Sequence, residues 1–344
     1  MTEKKDIKEV LRRHDAFWEM EEVEAPLMSV GRYNPLRRGA RIPLSDGRCA
    51  QEGEYLTPEK IDPARFIDQR AAPPSAVEGA FIRGLAPYGL CWTEAILGCP
   101  TRIVSGSVWS EPFLDDWQKV ETLRFTPENR WFQKLLAFTR ALVEWSAGCC
   151  PVTQPLMRGP IDMAAAALGD ARTCLAFYDS PKEMDHLLQI SADTFIEVAR
   201  ARLSLAPRFH GGYLSGYGIW TPGTVVRTQA DNATMLSPQI YRDRVLPHDR
   251  RIMDHFDYPL IHLHSSAIHI ADELLEVAHL RAIQVSLDLP DDLSKKSLLP
   301  ALERINRRKP LILTGPVTQE ELDKLLERLS PRGLCLSVQL REDT

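Results

Sequence analysis

The sequence predicts an α/β protein: a closed (β/α)8 TIM barrel with an irregular N-terminal extension. Three observations lead there. From about residue 128 onward, short apolar runs alternate with stretches of helical periodicity, the pattern of a parallel sheet covered by helices. Eight such runs can be counted, at 26–30, 151–156, 209–215, 225–229, 260–264, 282–287, 311–314 and 334–339. The length of 344 residues suits one barrel with an added segment. The rival arrangement is a doubly wound open sheet, but no Gly-x-Gly-x-x-Gly or Walker-type loop supports a nucleotide-binding version of it.

The elements follow in order. Residues 1–25 read as a charged helix with Val10, Leu11, Phe17 and Trp18 as apolar contacts. Residues 32–90 are rich in Pro, Gly and Arg, with Pro73-Pro74 as a breaker, and read as an irregular extension or lid. A short helix at 91–98 and a strand or hairpin at 101–109 come next. Residues 131–146 repeat with helical period and stop at Gly148. Helices are expected at 162–168 and 181–203. Another opens at Ser237-Pro238, the favoured N-cap and N1 order, and runs to about 256. Helices at 268–277, 298–307 and 319–329 complete the pattern. The chain is thus read as a single domain, 1–344. Residues 1–125 form the extension and lid, and 126–344 most of the barrel.

Composition bounds the partners. Hydrophobic residues make up 44% of the chain, charged residues 26%, and the net charge is −5. Broad nucleic-acid binding needs a basic face, which this balance disfavours. The N-terminus is charged, and no apolar run approaches the roughly 20 residues of a membrane span. The seven cysteines include no CxxC pair. The expectation is a reduced, cytoplasmic protein that acts on a small molecule, touches neither nucleic acid nor membrane, and allows a homodimer. Cys149-Cys150 is expected as buried thiols rather than a bridge, since adjacent cysteines strain one. Arg307-Arg308-Lys309 closes a helix, where cations complement the dipole.

The most informative feature is His262-Leu263-His264, at the end of an apolar run. Side chains at i and i+2 of a strand share a face. Two imidazoles there are read either as zinc ligands or as hydrogen-bonded groups that touch substrate without metal. His269, on the following helix, is expected outside the pocket. Asp231 follows the run 225–229 and Asp288 the run 282–287, so both fall at strand ends. Each is a candidate acid, base or ligand; Asp231 with Asn232 is also readable as a turn. Gln284 and Ser286 alternate toward one face, and a buried amide needs a partner. Arg158 suits a carboxylate or phosphate at the mouth, or a salt bridge between loops. Tyr213, Tyr217 and Trp220 lie in a glycine-rich stretch, read as a mobile loop offering stacking surfaces to a flat ligand.

Several stretches together resemble the uroporphyrinogen decarboxylase superfamily, which includes methylcobamide-dependent methyltransferases. They are Arg158-Gly-Pro-Ile-Asp-Met-Ala-Ala-Ala-Ala-Leu-Gly169, the run from Tyr178 to Leu188, the run from Gln229 to Tyr241, Leu246-Pro247 and Leu260-Ile-His-Leu-His264. The resemblance implies a (β/α)8 barrel with its pocket at the C-terminal strand ends. It also implies that His262 falls on the His of a zinc-binding His-x-Cys pair and His264 on the Cys. The third ligand it implies is a cysteine near the end of the last strand, for which Cys335 lies a few residues early. Gly31-Arg32-Tyr33-Asn34-Pro35 echoes a carboxylate-gripping element of the decarboxylases, without its second Arg.

Three functions follow as expectations. The first is a one-carbon enzyme that moves a methyl group from a corrinoid on a partner protein, or a similar donor, to a thiol. Zinc on His262 and His264 would assist, with Asp231 or Cys335 completing its shell. The alternative is a lyase, a cofactor-free decarboxylase of a carboxylated aromatic or tetrapyrrole, with Arg32 and Arg158 holding carboxylates and Asp231 stabilising a protonated intermediate. The third is a non-catalytic binder of cobalamin or a tetrapyrrole.

Overall fold

A computed structural model describes residues 6–33, 41–67, 73, 75–288, 293 and 297–342. At its centre lies a six-stranded sheet. The strands are Leu27–Arg32 (β1), Val225–Gln229 (β2), Tyr258–His264 (β3), Ala282–Ser286 (β4), Leu311–Val317 (β5) and Leu334–Leu340 (β6). Their order is β1-β6-β5-β4-β3-β2, and every neighbouring pair is parallel.

The alternation of side chains explains the two faces. Ile261, Leu263, Ile283, Val285, Leu311, Leu313, Leu334 and Leu336 turn outward into one core with the helices. Leu27, Val225, Leu260, Ala282, Ile312 and Cys335 turn inward, near the N-terminal strand ends. The helix Ile7–Trp18 lays Phe17 and Trp18 onto this inner cluster. It therefore plugs the end of the sheet remote from the histidines. The helix is shorter than the 1–25 the sequence suggests, because Asp6 caps it through Lys8 N–H.

The closed eight-stranded barrel is corrected: backbone pairing among the described residues does not complete it. The run 151–156 contributes an isolated parallel bridge between Leu85 and Val152. Beside β2, the Gln154 side chain does the work of a neighbouring strand. It accepts from Arg227 N–H at 2.9 Å and donates to Arg227 C=O at 2.6 Å. The run 209–215 pairs with its own continuation instead of joining the sheet. Tyr213–Leu214 lies antiparallel to Trp220–Thr221, and Gly218, at φ +74°, lets the chain reverse between them. The glycine-rich stretch is accordingly a packed hairpin, which corrects the mobile-loop reading.

Two helical details also differ. A helix at Asp170–Asp179 follows the break at Gly169, where φ is +85°. The helix opening at Ser237 passes through a π-turn at Tyr241–Val245 before Leu246–Met253. Pro247 has no N–H to donate, and the widened turn lies just before it.

His14 locks the plug. Its Nδ1 accepts Trp220 N–H at 3.0 Å, and its Nε2–H donates to Ala80 C=O at 2.9 Å. Both bonds together need a neutral ring, and burial holds its pKa down to about 4 from 6.5. The unfolded chain takes up a proton below about 6.5 that the folded chain refuses down to about 4. This contribution is therefore complete above the higher value and declines as pH falls. Between pH 7 and pH 5 the wild type should lose about 2 kcal/mol more stability than His14→Leu, read from urea unfolding. Equal losses would contradict a neutral buried ring.

Candidate active site

β3 ends on the two histidines. Ile261 and Leu263 belong to the outer core, so His262 and His264 face inward, as their spacing predicts. Their rings meet edge to face, with centroids 4.9 Å apart. His262 is buried, and the side chain of His264 is 36% exposed, which sets it at the mouth.

Each ring is held through Nδ1. Gln284, in register with His262 on β4, accepts the His262 Nδ1–H on its Oε1. The same oxygen accepts the Tyr217 hydroxyl. The Gln284 Nε2 donates to Thr314 Oγ1 at 2.9 Å, which fixes which way the amide points. His264 Nδ1–H donates to Asp288 Oδ2, and Ser286 steadies that carboxylate through Oδ1 at 2.6 Å. With Nδ1 engaged on both rings, the two Nε2 atoms are turned together onto one oxygen. Each lies 3.5 Å from Asp231 Oδ1.

Asp231 sits just past β2, in a short turn. Its other oxygen accepts Gln229 Nε2 at 2.7 Å. Its backbone N–H donates to Asp162 Oδ2 at 3.1 Å, and Asn232 N–H to Asp162 Oδ1 at 2.8 Å. Asp162 is in the first turn of the helix Pro160–Leu168 and is fully enclosed. Gly159 lets that helix approach: a Cβ there would lie 2.2 Å from Gln229 C=O and 2.6 Å from Thr228 Oγ1.

Asp231 Oδ1 is buried yet has no hydrogen-bond partner, and 3.5 Å exceeds ordinary hydrogen-bond length. A buried carboxylate oxygen facing two ring nitrogens calls for positive charge, from a bound cation or from a protonated ring. The donor atoms of Asp231, His262 and His264 all lie within 4.8 Å of one another. Bonds of about 2.0–2.1 Å in a tetrahedron set donors about 3.4 Å apart, close to the two 3.5 Å spacings seen. Two imidazoles and a carboxylate are a catalytic zinc donor set. Each ring also donates its second nitrogen to a fixed oxygen acceptor, as metal-bound histidines do. The residues present fit the ion.

The electrostatics draw positive charge to the same point. Burial, aided by the Arg227 charge, holds His262 down to about 4, so it stays neutral. Asp231, followed by Asp288, pulls His264 up to about 10: two carboxylates around one ring demand positive charge. Burial pushes Asp231 upward, but the nearby His264 ring and the charges of His262 and Arg158 outweigh it and hold it below the usual range. Burial and then the charge of Asp231 drive Asp162 well upward.

Arg158 adopts the salt-bridge reading. Its Nη1 lies 3.2 Å from Oε1 of the buried Glu94, and its N–H donates to Thr93 Oγ1 at 3.0 Å. Of the three aromatics, Tyr217 joins the histidine network, but Tyr213 and Trp220 do not, which corrects their assignment as ligand-stacking residues. Trp220 is buried against Val10, Ile82 and Leu214 and donates to Phe209 C=O at 2.7 Å. Tyr213 packs under Arg208, 5.5 Å from ring centroid to guanidinium. Their side chains are spent on closing the hairpin.

Cys335 is likewise corrected as a metal ligand. It lies early on β6, in the apolar inner cluster with Leu260 and Ile312, and burial raises its thiol pKa. The donor atoms that lie within 4.8 Å of one another are those of Asp231, His262 and His264, without the Cys335 sulfur. Arg32 ends β1, exposed. His269 lies outside, donating to Leu236 C=O at 2.8 Å. Sequence reasoning missed Asp162, Gln229, Arg227 and Glu94. The spacing Arg227-x-Gln229-x-Asp231 was the available signal: two polar side chains on one face of a strand, with a carboxylate just past its end.

Gln284→Leu should weaken metal binding by about ten- to a hundredfold, because the His262 tautomer loses its anchor. Competition for zinc against a chromophoric chelator measures this. An unchanged affinity would show that the Gln284 contact does not orient a ligand.

No protein-family model matches the chain, and no curated protein does. Among solved structures, a methyltransferase from Methanosarcina mazei superposes with a TM-score of 0.62. The overlap covers 96% of this chain and 92% of that one at 14% identity. A B12-independent methionine synthase from Shewanella sp. W3-18-1 gives 0.40, at 12% identity, over 60% and 59% of the two chains. A homocysteine methyltransferase from Escherichia coli gives 0.29, at 12% identity, over 82% and 96%. Two of these three are methyltransferases by name, and the other is a methionine synthase. At such identities the first likeness establishes the fold, a barrel-type α/β architecture, and the two weaker ones add nothing to it. No helix among the described residues is long and apolar enough to cross a membrane.

Proposed function

We propose that this chain is an enzyme that transfers a methyl group to a thiol or related acceptor, assisted by a zinc ion on Asp231, His262 and His264. The observation that carries this reading is the unpartnered Asp231 Oδ1 facing both Nε2 atoms. Three protein donors leave a fourth position for the acceptor. Bound there, the ion supplies Lewis-acid chemistry that turns a thiol into a thiolate at neutral pH.

The rest is done by the chain. Gln284 and Asp288 keep the Nδ1 protons in place, so both Nε2 atoms stay available as donors. Gln229 and Asp162 hold Asp231 at the rim by its side chain and its backbone. The apolar cluster beneath, with Leu260, Ala282 and Ile312, keeps bulk water from reaching the site through the far end. A methyl-corrinoid on a partner protein is the donor we propose. The decarboxylase alternative needs Arg32 and Arg158 to act together, and no described contact brings them together.

The test is methyl transfer from methylcobalamin to a panel of small thiols. It is followed by the loss of the methylcobalamin spectrum, after chelation and again after zinc is restored. Transfer that vanishes and returns supports the proposal. Zinc-loaded protein that transfers nothing, yet releases carbon dioxide from carboxylated aromatics, would replace it with the lyase.

A further inference from the structure

We infer that Arg227 forms an anion subsite within the pocket, fitted to the carboxylate of a small substrate whose reacting end lies at Asp231, His262 and His264. The inference rests on the reading that this trio is where the reaction occurs. Arg227 lies on the inner face of β2, for its neighbour Val226 packs outward among the helices. Its Nε donates to the Tyr217 hydroxyl at 2.8 Å and its Nη1 to Gln229 Oε1 at 2.8 Å. The guanidinium carbon sits 5.8 Å from the Tyr217 ring centroid. Both partners are neutral, and among the described residues no carboxylate comes within ion-pair distance.

An interior charge is ordinarily paired. Arg158, the other guanidinium of this region, has Glu94. Arg227 has no such counterpart among the described residues, and it is only partly buried, with Nη2 not engaged by Tyr217 or Gln229. A planar fork with donors to spare matches a carboxylate in two-point contact. Tyr217 and Gln229 hold the fork in place, so little freedom is lost on binding. Arg227 is in register with Leu260 on β3, two residues before His262, which places it under the trio.

The position limits the ligand's size. Arg227 precedes Gln229 by two residues, about 6.6 Å along the strand, and its guanidinium reaches forward to the Gln229 amide that holds Asp231. Anion and reacting centre are therefore a short aliphatic span apart. The substrate class is a small thiol carboxylate, or its methylated form, rather than a large flat ring.

Calorimetric titration of the full chain with 3-mercaptopropionate and with its neutral amide, in buffer containing a chelator, tests this. The wild type should bind the carboxylate at least tenfold more tightly than the amide. Arg227→Gln should abolish that preference, and Arg227→Lys should retain part of it, with circular dichroism confirming that each variant is folded. Equal binding of the two compounds, binding of neither, or a preference that survives in Arg227→Gln overturns the subsite. No metal and no turnover enter this measurement. A failure here leaves methyl transfer standing, and a failure to transfer methyl groups leaves the subsite standing.

Discussion

Asp231→Ala is expected to weaken the proposed zinc site and, with it, the proposed methyl transfer. Two imidazoles would remain, held as before by Gln284 and Asp288. The anionic donor would be gone. Four-ligand zinc sites bind with about 10–16 kcal/mol, so one ligand is worth about 3 kcal/mol, or roughly a hundredfold in affinity. His264→Ala should lose as much, because it removes a donor and leaves Asp288 without its ring. Cys335→Ser should leave metal content unchanged, since its thiol sits among Leu260, Ala282 and Ile312. Elemental analysis after gel filtration, beside thiol methylation on the same samples, separates the three. Asp231→Ala protein that holds zinc as firmly as the wild type would remove Asp231 from the shell.

Gly159→Ala is expected to be a severely damaging methyl addition beside the site. The new Cβ would meet Gln229 C=O at 2.2 Å and Thr228 Oγ1 at 2.6 Å. The closer atom is backbone in the central sheet and cannot swing aside. Overpacking costs about 1–3 kcal/mol where side chains can yield, and more where they cannot; about 3 kcal/mol or more is expected here. Either the helix Pro160–Leu168 must back away or β2 must bend. Both movements pull Asp162 from the Asp231 backbone. Chemical denaturation should show the loss of stability, and a zinc titration of the variant should show weaker binding even where it is folded. A variant as stable as the wild type would mean the helix approach is less tight than its geometry.

Much of this was legible in the chain. The run from Tyr258 to His264 announces a strand with both rings on one face, and its apolar alternates sit in the outer core as that spacing requires. Asp231 and Asp288 at strand ends follow from the same alternation. What the sequence did not disclose was the partner of each group. Nothing local shows that Gln284 turns its oxygen to His262, because that depends on the register between β3 and β4 and on Thr314 from β5. Which of Asp231 and Cys335 lies beside the two rings was hidden for the same reason. Cys335 has the right chemistry, but its level in β6 is fixed by pairing with Ile312. Tyr213 and Trp220 look like ligand surfaces in a glycine-rich run, yet the reversal at Gly218 folds them onto the N-terminal helix. Asp162 reads as an ordinary first-turn acid of its helix, and only the tertiary approach at Gly159 brings it under Asp231.

The central claim is that Asp231, His262 and His264 hold one ion without sulfur from the chain. X-ray absorption at the zinc edge, on protein reconstituted with zinc and free of thiols, reads that shell directly. The account predicts nitrogen and oxygen scatterers alone, at about 2.0–2.2 Å, with the outer-shell pattern of two imidazoles. A sulfur scatterer at about 2.3 Å, or a zinc ion showing only the symmetric water shell of adventitious binding, would contradict it.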